Sequence, residues 1–147
     1  MAEKIAHRGP DMSGEYIDAM DDGIALGFRR LSILDLSEGG RQPMTSPDGN
    51  YVIVYNGEIY NFMELRRELE GRGYVFRTRC DTEVLLRGYE EYGGSIVDKL
   101  RGMFAFVIWD RREKTLFGAR DIFGIKPFYY SKMSGGLIFG SEIKSFL

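Results

Sequence analysis

The residues best suited to chemistry in this 147-residue chain are an asparagine and a glycine that follow an apolar run. Residues 51–55 are mostly apolar, and Asn56 and Gly57 come directly after them. A side-chain amide and a backbone N–H at the end of a buried strand can donate to a single point, which is the arrangement an oxyanion hole requires. The alternative is an ordinary turn after a strand, which the Asn-Gly dipeptide alone would favour.

The composition is that of one globular domain. The formal net charge is −2, from 20 basic and 22 acidic residues, and 44% of the residues are apolar. This balance gives no reason to expect binding to nucleic acid or to an anionic membrane, and no apolar run is long enough to span a bilayer. A single cysteine fits a reducing, cytoplasmic location. One His and one Cys argue against a His/Cys metal site.

Hydrophobic periodicity and turn residues predict the elements around Asn56. In the first half of the chain we expect strands at residues 23–28, 51–55 and 74–77, with a surface loop at residues 37–50. A helix is predicted at residues 61–71, with Asn61 as its cap and Glu64 at the capping-box position.

The second half of the chain is predicted to form a helix followed by two hairpins. The helix covers residues 81–92 and ends at two glycines, and a helical turn follows at residues 95–100. The hairpins pair residues 104–109 with 115–119, and 128–131 with 137–140. Ser141 is expected to cap a final helix. Strands in runs, with helices grouped between them, indicate an α+β fold with mostly antiparallel pairing.

Seven short motifs occur in one order along the chain. They begin at His7 (HRGPD), Arg29 (RRLSILD), Tyr55 (YNGEIYN), Cys80 (CDTEV), Gly102 (GMFAF), Arg120 (RD, with GIKP at 124–127) and Ser141 (SEIK). In this order they resemble the glutaminase domain of asparagine synthetase, a class II glutamine amidotransferase of the N-terminal nucleophile hydrolase type. The resemblance covers residues 5–147. Each motif is weak alone, whereas seven in order identify the chain as a member of the family.

The resemblance implies a four-layer α-β-β-α sandwich. Family members begin with a cysteine on a first strand, and a helix follows that strand. Here Met1 is followed by Ala2, and residues 1–6 are expected to be the tail of that helix. We therefore expect residues 1–147 to be a truncated glutaminase domain, without its nucleophile and inactive alone. A strand missing from inside the sheet should expose apolar surface and two unpaired strand edges.

Glutamine hydrolysis is the activity that the resemblance implies. In the family a cysteine thiolate attacks the side-chain carbonyl of glutamine, and the α-amino group of the same cysteine is the base. Carried over by motif, the Asn56 side chain and the Gly57 N–H would form the oxyanion hole. Loss of one such donor typically costs about 100- to 1000-fold in rate. The ammonia released would be transferred to an acceptor such as activated aspartate.

The resemblance also assigns residues that bind glutamine. Arg30 would hold the α-carboxylate, because a guanidinium matches a carboxylate through two parallel hydrogen bonds. The alternative is an arginine in a surface ion pair, which is the role we expect for Arg29. Asp81 would accept the α-ammonium group, cap the following helix, or do both. Ile33 is placed beside the bound glutamine, and Glu58 is expected to contact it through its backbone.

His7 and Cys80 are the other residues with chemical potential. His7 has no supporting triad, so we expect a structural role beside the glutamine pocket. Cys80 is not N-terminal, and only Arg77 and Arg79 are near enough in sequence to activate its thiol, so nucleophilic catalysis by Cys80 is a minor alternative. Structural roles are also expected for Arg120, Asp121, Lys126 and Pro127.

No cofactor is expected in this domain, because in the family ATP and Mg belong to the synthetase domain. That domain carries a Ser-Gly-Gly-Leu-Asp-type loop. Residues 134–137 repeat the first four residues, but Ile138 follows, so we expect a hairpin turn. The expected partners are glutamine and either a synthetase domain or the missing N-terminal segment, with a homo-oligomer as an alternative. A non-catalytic glutamine-binding or assembly module is the alternative to a glutaminase.

Overall fold

A four-stranded antiparallel sheet is at the centre of the fold. The computed structural model describes residues 2–9, 12–18, 23–30 and 40–146, without the side chains of Ala2, Arg8 and Arg30. The sheet has the order β3-β4-β5-β6, and its strands are Met44–Thr45, Tyr51–Ile59, Gly102–Asp110 and Thr115–Arg120. β4 and β5 pair along their whole lengths, from Tyr51 opposite Asp110 to Ile59 opposite Gly102.

Two helices cover one face of this sheet. α1 spans Phe62–Gly71 and α2 spans Asp81–Tyr92, and the 3₁₀ segment Gly93–Lys99 follows α2. Successive strand residues point to opposite faces, so alternate residues of β4 and β5 meet the helices. The buried side chains of this helix-side core include Ile53, Tyr55, Ile59, Leu65, Leu69, Val84, Leu85, Phe104, Phe106 and Ile108.

Two separate ribbons lie on the opposite face. β1 (Met12–Asp18) pairs with β2 (Ile24–Arg30), and β7 (Tyr129–Met133) pairs with β8 (Gly136–Gly140). Apolar residues of the ribbons, together with Phe128 just before β7, pack against the other set of sheet residues in a second core: Leu26, Phe28, Phe128 and Phe139 with Val52, Val54, Val107 and Trp109. The 3₁₀ segments Ala2–Arg8 and Ile143–Phe146 contact β2 and β8. The order of helices, sheet, ribbons and outer 3₁₀ segments agrees with the predicted four-layer sandwich.

A cavity of about 1180 Å³ lies between the central sheet and the two ribbons. Its apolar walls include Leu26 and Phe28 from one ribbon and Leu137 and Phe139 from the other. Within the described ranges, no hydrogen-bonded pairing joins the two ribbons.

The predicted strand at residues 74–77 is wrong. These residues follow α1 without belonging to a strand. The buried Glu83 carboxylate accepts hydrogen bonds from the N–H groups of Arg77, at 2.8 Å, and Thr78, at 2.6 Å. A side chain of α2 thus takes the place of a neighbouring strand, which a local pattern of apolar residues cannot show.

Four further features differ from prediction. The sequence patterns did not indicate β1, and the predicted surface loop at residues 37–50 contains the short strand β3 in its described part. Asn61 does not cap α1 with its side chain. Its Nδ2 donates to the Lys99 carbonyl and its Oδ1 accepts from the Arg101 N–H, both at 2.9 Å. The predicted final helix is the 3₁₀ segment Ile143–Phe146.

Candidate active site

Asn56 and Gly57 lie inside β4, not in a turn after it. Asn56 is opposite Ala105 and Gly57 is opposite Phe104 in the pairing with β5. The turn alternative is therefore wrong, and so is the predicted end of the strand at residue 55. A Cβ on Gly57 would lie 2.2 Å from the Met103 carbonyl oxygen. Glycine is needed here because the backbone of β5 approaches closely. Glycine can thus be required within a strand as well as in a turn.

One edge of β4 presents three N–H groups in a row. Backbone groups alternate between the two edges of a strand, so the N–H groups of Tyr55, Gly57 and Ile59 all point away from β5. Tyr55 N–H donates to Gln42 Oε1 at 2.6 Å, and Ile59 N–H donates to Asp81 Oδ2 at 3.1 Å. No side chain among the described residues accepts from the Gly57 N–H between them. One available donor is therefore held between two occupied ones, at the predicted oxyanion position.

The Asn56 side chain belongs to the face of β4 that looks toward the cavity. Val52 and Val54, which share its face by alternation, pack in the core beside the ribbons. Asn56 and Gly57 both line the 1180 Å³ cavity. The structure thus brings the two predicted oxyanion donors to one space large enough for an amino acid.

The Asp81 side chain is hydrogen-bonded to β4 rather than to its own helix. It is the first residue of α2, the N-cap position is Cys80, and no side chain caps this helix. The cap alternative for Asp81 is therefore wrong. Asp81 Oδ2 accepts from the Tyr55 hydroxyl at 2.7 Å and from the Ile59 N–H at 3.1 Å. Asp81 also lines the cavity, where a carboxylate suits an ammonium group.

The remaining predicted glutamine-binding residues are described to different extents. Arg30 is the last residue of β2, with its backbone opposite Met12, and its guanidinium lies outside the described atoms. Ile33 lies outside the described residues. Glu58 is exposed and lines the cavity. Arg29, for which a surface ion pair was predicted, is half-buried and also lines the cavity.

His7 and Cys80 have separate partners. His7 Nε2 lies 3.0 Å from Glu142 Oε1 and 3.2 Å from Lys144 Nζ, so His7 connects the first 3₁₀ segment to the last. Its structural role beside the glutamine pocket stays a prediction. Cys80 Sγ lies 3.0 Å from Thr78 Oγ1. The described residues contain no group of three or more His, Cys, Asp or Glu that could hold a metal ion. No helix among them is long and apolar enough to cross a membrane.

Asp121 fixes the loop after β6 beside the cavity. Its buried carboxylate accepts from the N–H groups of Phe104, Ile125 and Lys126 at 3.2, 2.9 and 3.0 Å. Burial opposes ionisation, but the hydrogen bonds outweigh it and hold the pKa of Asp121 below its ordinary value of 3.8. Lys126 and Phe128, which follow this loop, line the cavity. These contacts fit the predicted structural role.

Two residues of the site, Gln42 and Tyr55, were not predicted from the sequence. Gln42 is buried, and its backbone carbonyl oxygen approaches β1 so closely that a Cβ on Gly14 would lie 1.8 Å away. It therefore links the first ribbon to the edge of β4. Tyr55 was counted only as an apolar strand residue. The available signal was its hydroxyl, because a buried tyrosine usually needs a hydrogen-bond partner.

Sequence comparison gives matches along the whole chain. A family model described as a glutamine amidotransferase domain matches residues 1–147. Asparagine synthetase [glutamine-hydrolyzing] 1 of Bacillus subtilis (strain 168) is 51% identical over 147 residues, which are 100% of this chain and 23% of that protein. A putative asparagine synthetase [glutamine-hydrolyzing] of Mycobacterium tuberculosis (strain ATCC 25618 / H37Rv) is 46% identical, over 97% of this chain and 23% of that protein. The chain thus spans less than a quarter of either relative.

Structure comparison gives the same fold in larger proteins. Glutamine phosphoribosylpyrophosphate amidotransferase from B. subtilis, complexed with ADP and GMP, aligns with a TM-score of 0.78 at 21% identity, covering 98% of this chain and 38% of that one. A structure described as the allosteric regulatory enzyme of purine biosynthesis aligns with a TM-score of 0.68 at 27% identity, covering 83% and 28%. These likenesses confirm the predicted sandwich.

Proposed function

This chain belongs to the glutamine amidotransferase domain family, and we propose that it is the glutaminase domain of an asparagine-synthetase-type amidotransferase. In such an enzyme glutamine is hydrolysed to glutamate and ammonia, and the ammonia passes to an acceptor such as activated aspartate. One observation carries the proposal: the Gly57 N–H is left available between two occupied N–H groups, and Asn56 lines the same cavity.

Glutamine would be recognised by its two charges. The Asp81 carboxylate at the cavity wall suits the α-ammonium group. Arg30, at the end of β2, is proposed to bind the α-carboxylate, with Ile33 and Glu58 beside the substrate. An acidic and a basic residue from distant parts of the chain would thus bind the α-ammonium and α-carboxylate groups of an amino acid zwitterion. No cofactor is proposed for this domain.

The chemistry would proceed through a thioester. The thiolate of an N-terminal cysteine forms a C–S bond with the carbonyl carbon, and the π electrons move to oxygen. The Asn56 amide and the Gly57 N–H stabilise this oxyanion. The α-amino group of that cysteine, which took the thiol proton, passes it to the amide nitrogen. The electron pair then returns, the C–N bond breaks, and the nitrogen leaves as ammonia. Water hydrolyses the thioester to glutamate.

The nucleophile in this scheme is not Cys80, the single cysteine of the sequence. We propose that a segment preceding residue 1 in the native polypeptide supplies it. Glutamine and a synthetase domain are the proposed partners, and the cytoplasm is the proposed location.

Glutamine binding tests the recognition half of the proposal. Isothermal titration calorimetry should show saturable binding of L-glutamine to the 147-residue chain. Arg30→Ala and Asp81→Asn should each abolish that binding. Arg112→Ala is the matched control, because this arginine is exposed in the β5–β6 turn, and it should bind as the wild type does. A folded wild-type chain that binds no L-glutamine would overturn the proposal.

Characterisation of the native polypeptide tests the catalytic half. N-terminal sequencing of the protein from its native source should find a cysteine at the first position. That protein should release ammonia from glutamine, and Asn56→Ala should lower the rate by about 100- to 1000-fold. A native N terminus at Met1 or Ala2 would instead favour the non-catalytic glutamine-binding module.

A further inference from the structure

We infer that Tyr55 is a positioning residue for glutamine, which holds the Asp81 carboxylate at a fixed distance from the oxyanion donors Asn56 and Gly57. The inference rests on the proposed function and deepens it. It starts from the hydrogen bond of 2.7 Å that the Tyr55 hydroxyl donates to Asp81 Oδ2.

Asp81 is attached to β4 on both sides of the oxyanion pair. Tyr55 immediately precedes Asn56, and Ile59 follows Gly57 by two residues. Both donate to the same oxygen, Oδ2. The carboxylate therefore cannot shift along β4 without lengthening one of the two bonds. The point that would bind the α-ammonium group is thus fixed relative to the point that would bind the amide oxygen.

The core sets the position of the Tyr55 hydroxyl. Tyr55 is only 4% exposed, and its ring packs in the helix-side core that includes Ile53, Ile59 and Leu85. Burial, together with the neighbouring Asp81 carboxylate, raises the pKa of the Tyr55 hydroxyl well above its ordinary value of 10. The phenol therefore stays protonated and donates a hydrogen bond to the carboxylate.

Occupation of Oδ2 by two donors also orients the carboxylate. Among the described residues, the hydrogen bonds to Asp81 go to Oδ2, which leaves Oδ1 for a ligand in the cavity. The selectivity that follows concerns the α-amino group. Without the Tyr55 hydroxyl, the site should lose affinity for an amide ligand that carries an α-amino group. It should keep its affinity for an amide ligand that lacks the α-amino group.

The test compares two ligands on two phenylalanine variants. Tyr55→Phe keeps the ring in the core and removes one oxygen. By calorimetry, the Kd for L-glutamine should rise about 2- to 10-fold, as expected for loss of one hydrogen bond. The Kd for glutaramate, which is glutamine without its α-amino group, should stay unchanged. A general loosening of the fold would weaken both ligands, so the ratio of the two affinities separates positioning from stability.

Tyr51→Phe is the matched control. Tyr51 lies on the same strand and packs against the same core, and its ring contacts Tyr89 edge-on rather than Asp81. This variant should bind both ligands as the wild type does. If the wild type and Tyr55→Phe bind L-glutamine equally, or if Tyr55→Phe loses the same affinity for both ligands, the positioning role of Tyr55 is overturned. The proposed function would be unaffected by that result. A folded wild type that binds no L-glutamine would overturn the proposed function and this role together.

Discussion

Replacing Gly57 with alanine should separate β4 from β5 at the site. The new Cβ would lie 2.2 Å from the Met103 carbonyl oxygen and 2.7 Å from the Phe104 Cα. Ordinary contact between nonbonded atoms begins near roughly 3.5 Å, so the first overlap exceeds 1 Å. Both obstructing atoms are backbone atoms in the strand that pairs with β4 along its whole length. A change of side-chain rotamer therefore cannot relieve the strain.

The magnitude follows from the cost of overpacking. Extra methyl groups in packed regions typically cost about 1–3 kcal/mol, and occasionally more. Because two backbone atoms are in the way, we expect the free energy of unfolding to fall by about 3 kcal/mol. With a urea m-value of about 2 kcal/mol/M for a domain of this size, the midpoint should fall by about 1.5 M.

The assay is urea unfolding followed by the fluorescence of the buried Trp109, the single tryptophan of the chain. Gly118→Ala in β6 is the matched control, because a Cβ there would meet its nearest neighbour, Phe128 Cζ, at 3.5 Å. Its midpoint should stay within about 0.5 M of the wild type, because an accommodated Gly→Ala change alters stability by about 1 kcal/mol or less. A Gly57→Ala midpoint equal to that of Gly118→Ala would refute the close approach of β5.

Three further predictions concern polar side chains that accept hydrogen bonds from backbone N–H groups. The lowered pKa of Asp121 implies stability that is present above its unfolded value of 3.8 and is lost as the pH falls through the folded value. The Tm of the wild type should therefore decrease when the pH is lowered below about 4. Asp121→Asn should remove part of this pH dependence. Glu83→Ala should cost about 1–3 kcal/mol and speed hydrogen exchange at Thr78, because it leaves the N–H groups before α2 without their acceptor. Asn61→Ala should cost about 1–2 kcal/mol in urea unfolding, because two backbone groups lose their partner.

Exposed positions supply the controls for these variants. Asp98→Asn should leave the pH dependence of the Tm unchanged, and Glu113→Ala should unfold as the wild type does, because both side chains are exposed. A pH profile of Asp121→Asn identical to that of the wild type would contradict the hydrogen-bonded loop. Unchanged exchange at Thr78 in Glu83→Ala would show that the carboxylate does not hold this segment.

Local patterns predicted the elements whose signals are strong. α2 begins at Asp81 and ends at Tyr92 as predicted, since its apolar face is periodic and Gly93 follows with a φ of 57°. The two hairpins after residue 100 also agree with prediction, because turn residues separate short apolar runs. β1 was not predicted because Gly14 and Asp18 interrupt its less exposed face and the apolar Ile17 lies on its exposed face. The sequence therefore shows no regular alternation of apolar and polar residues there.

The site was predictable in its residue types but not in its geometry. The motif placed Asn56 and Gly57 at an oxyanion hole, and the structure brings both to the cavity with Asp81. Composition could not show that they lie in mid-strand, because the deciding contact is with the Met103 backbone, 46 positions away (103 − 57). The hydrogen bonds from the Tyr55 hydroxyl to Asp81 and from the Tyr55 N–H to Gln42 likewise join residues that are distant in sequence. Local periodicity carries no information about such partners.

The side chains of Gln42 and Asp81, which bind N–H groups on the outer edge of β4, also hinder the pairing of this edge with a strand of another molecule. An unpaired strand edge is a template for another strand, and β3 pairs with this edge only at Val52 and Ile53. An incoming strand would have to displace Gln42 from Tyr55 and Asp81 from Ile59 before it could extend the sheet. Of the outward N–H groups of Tyr55, Gly57 and Ile59, that of Gly57 alone has no side-chain acceptor among the described residues, and one isolated N–H donor cannot fix a strand register. Substitutions at Gln42 or Asp81 should therefore promote aggregation through β4.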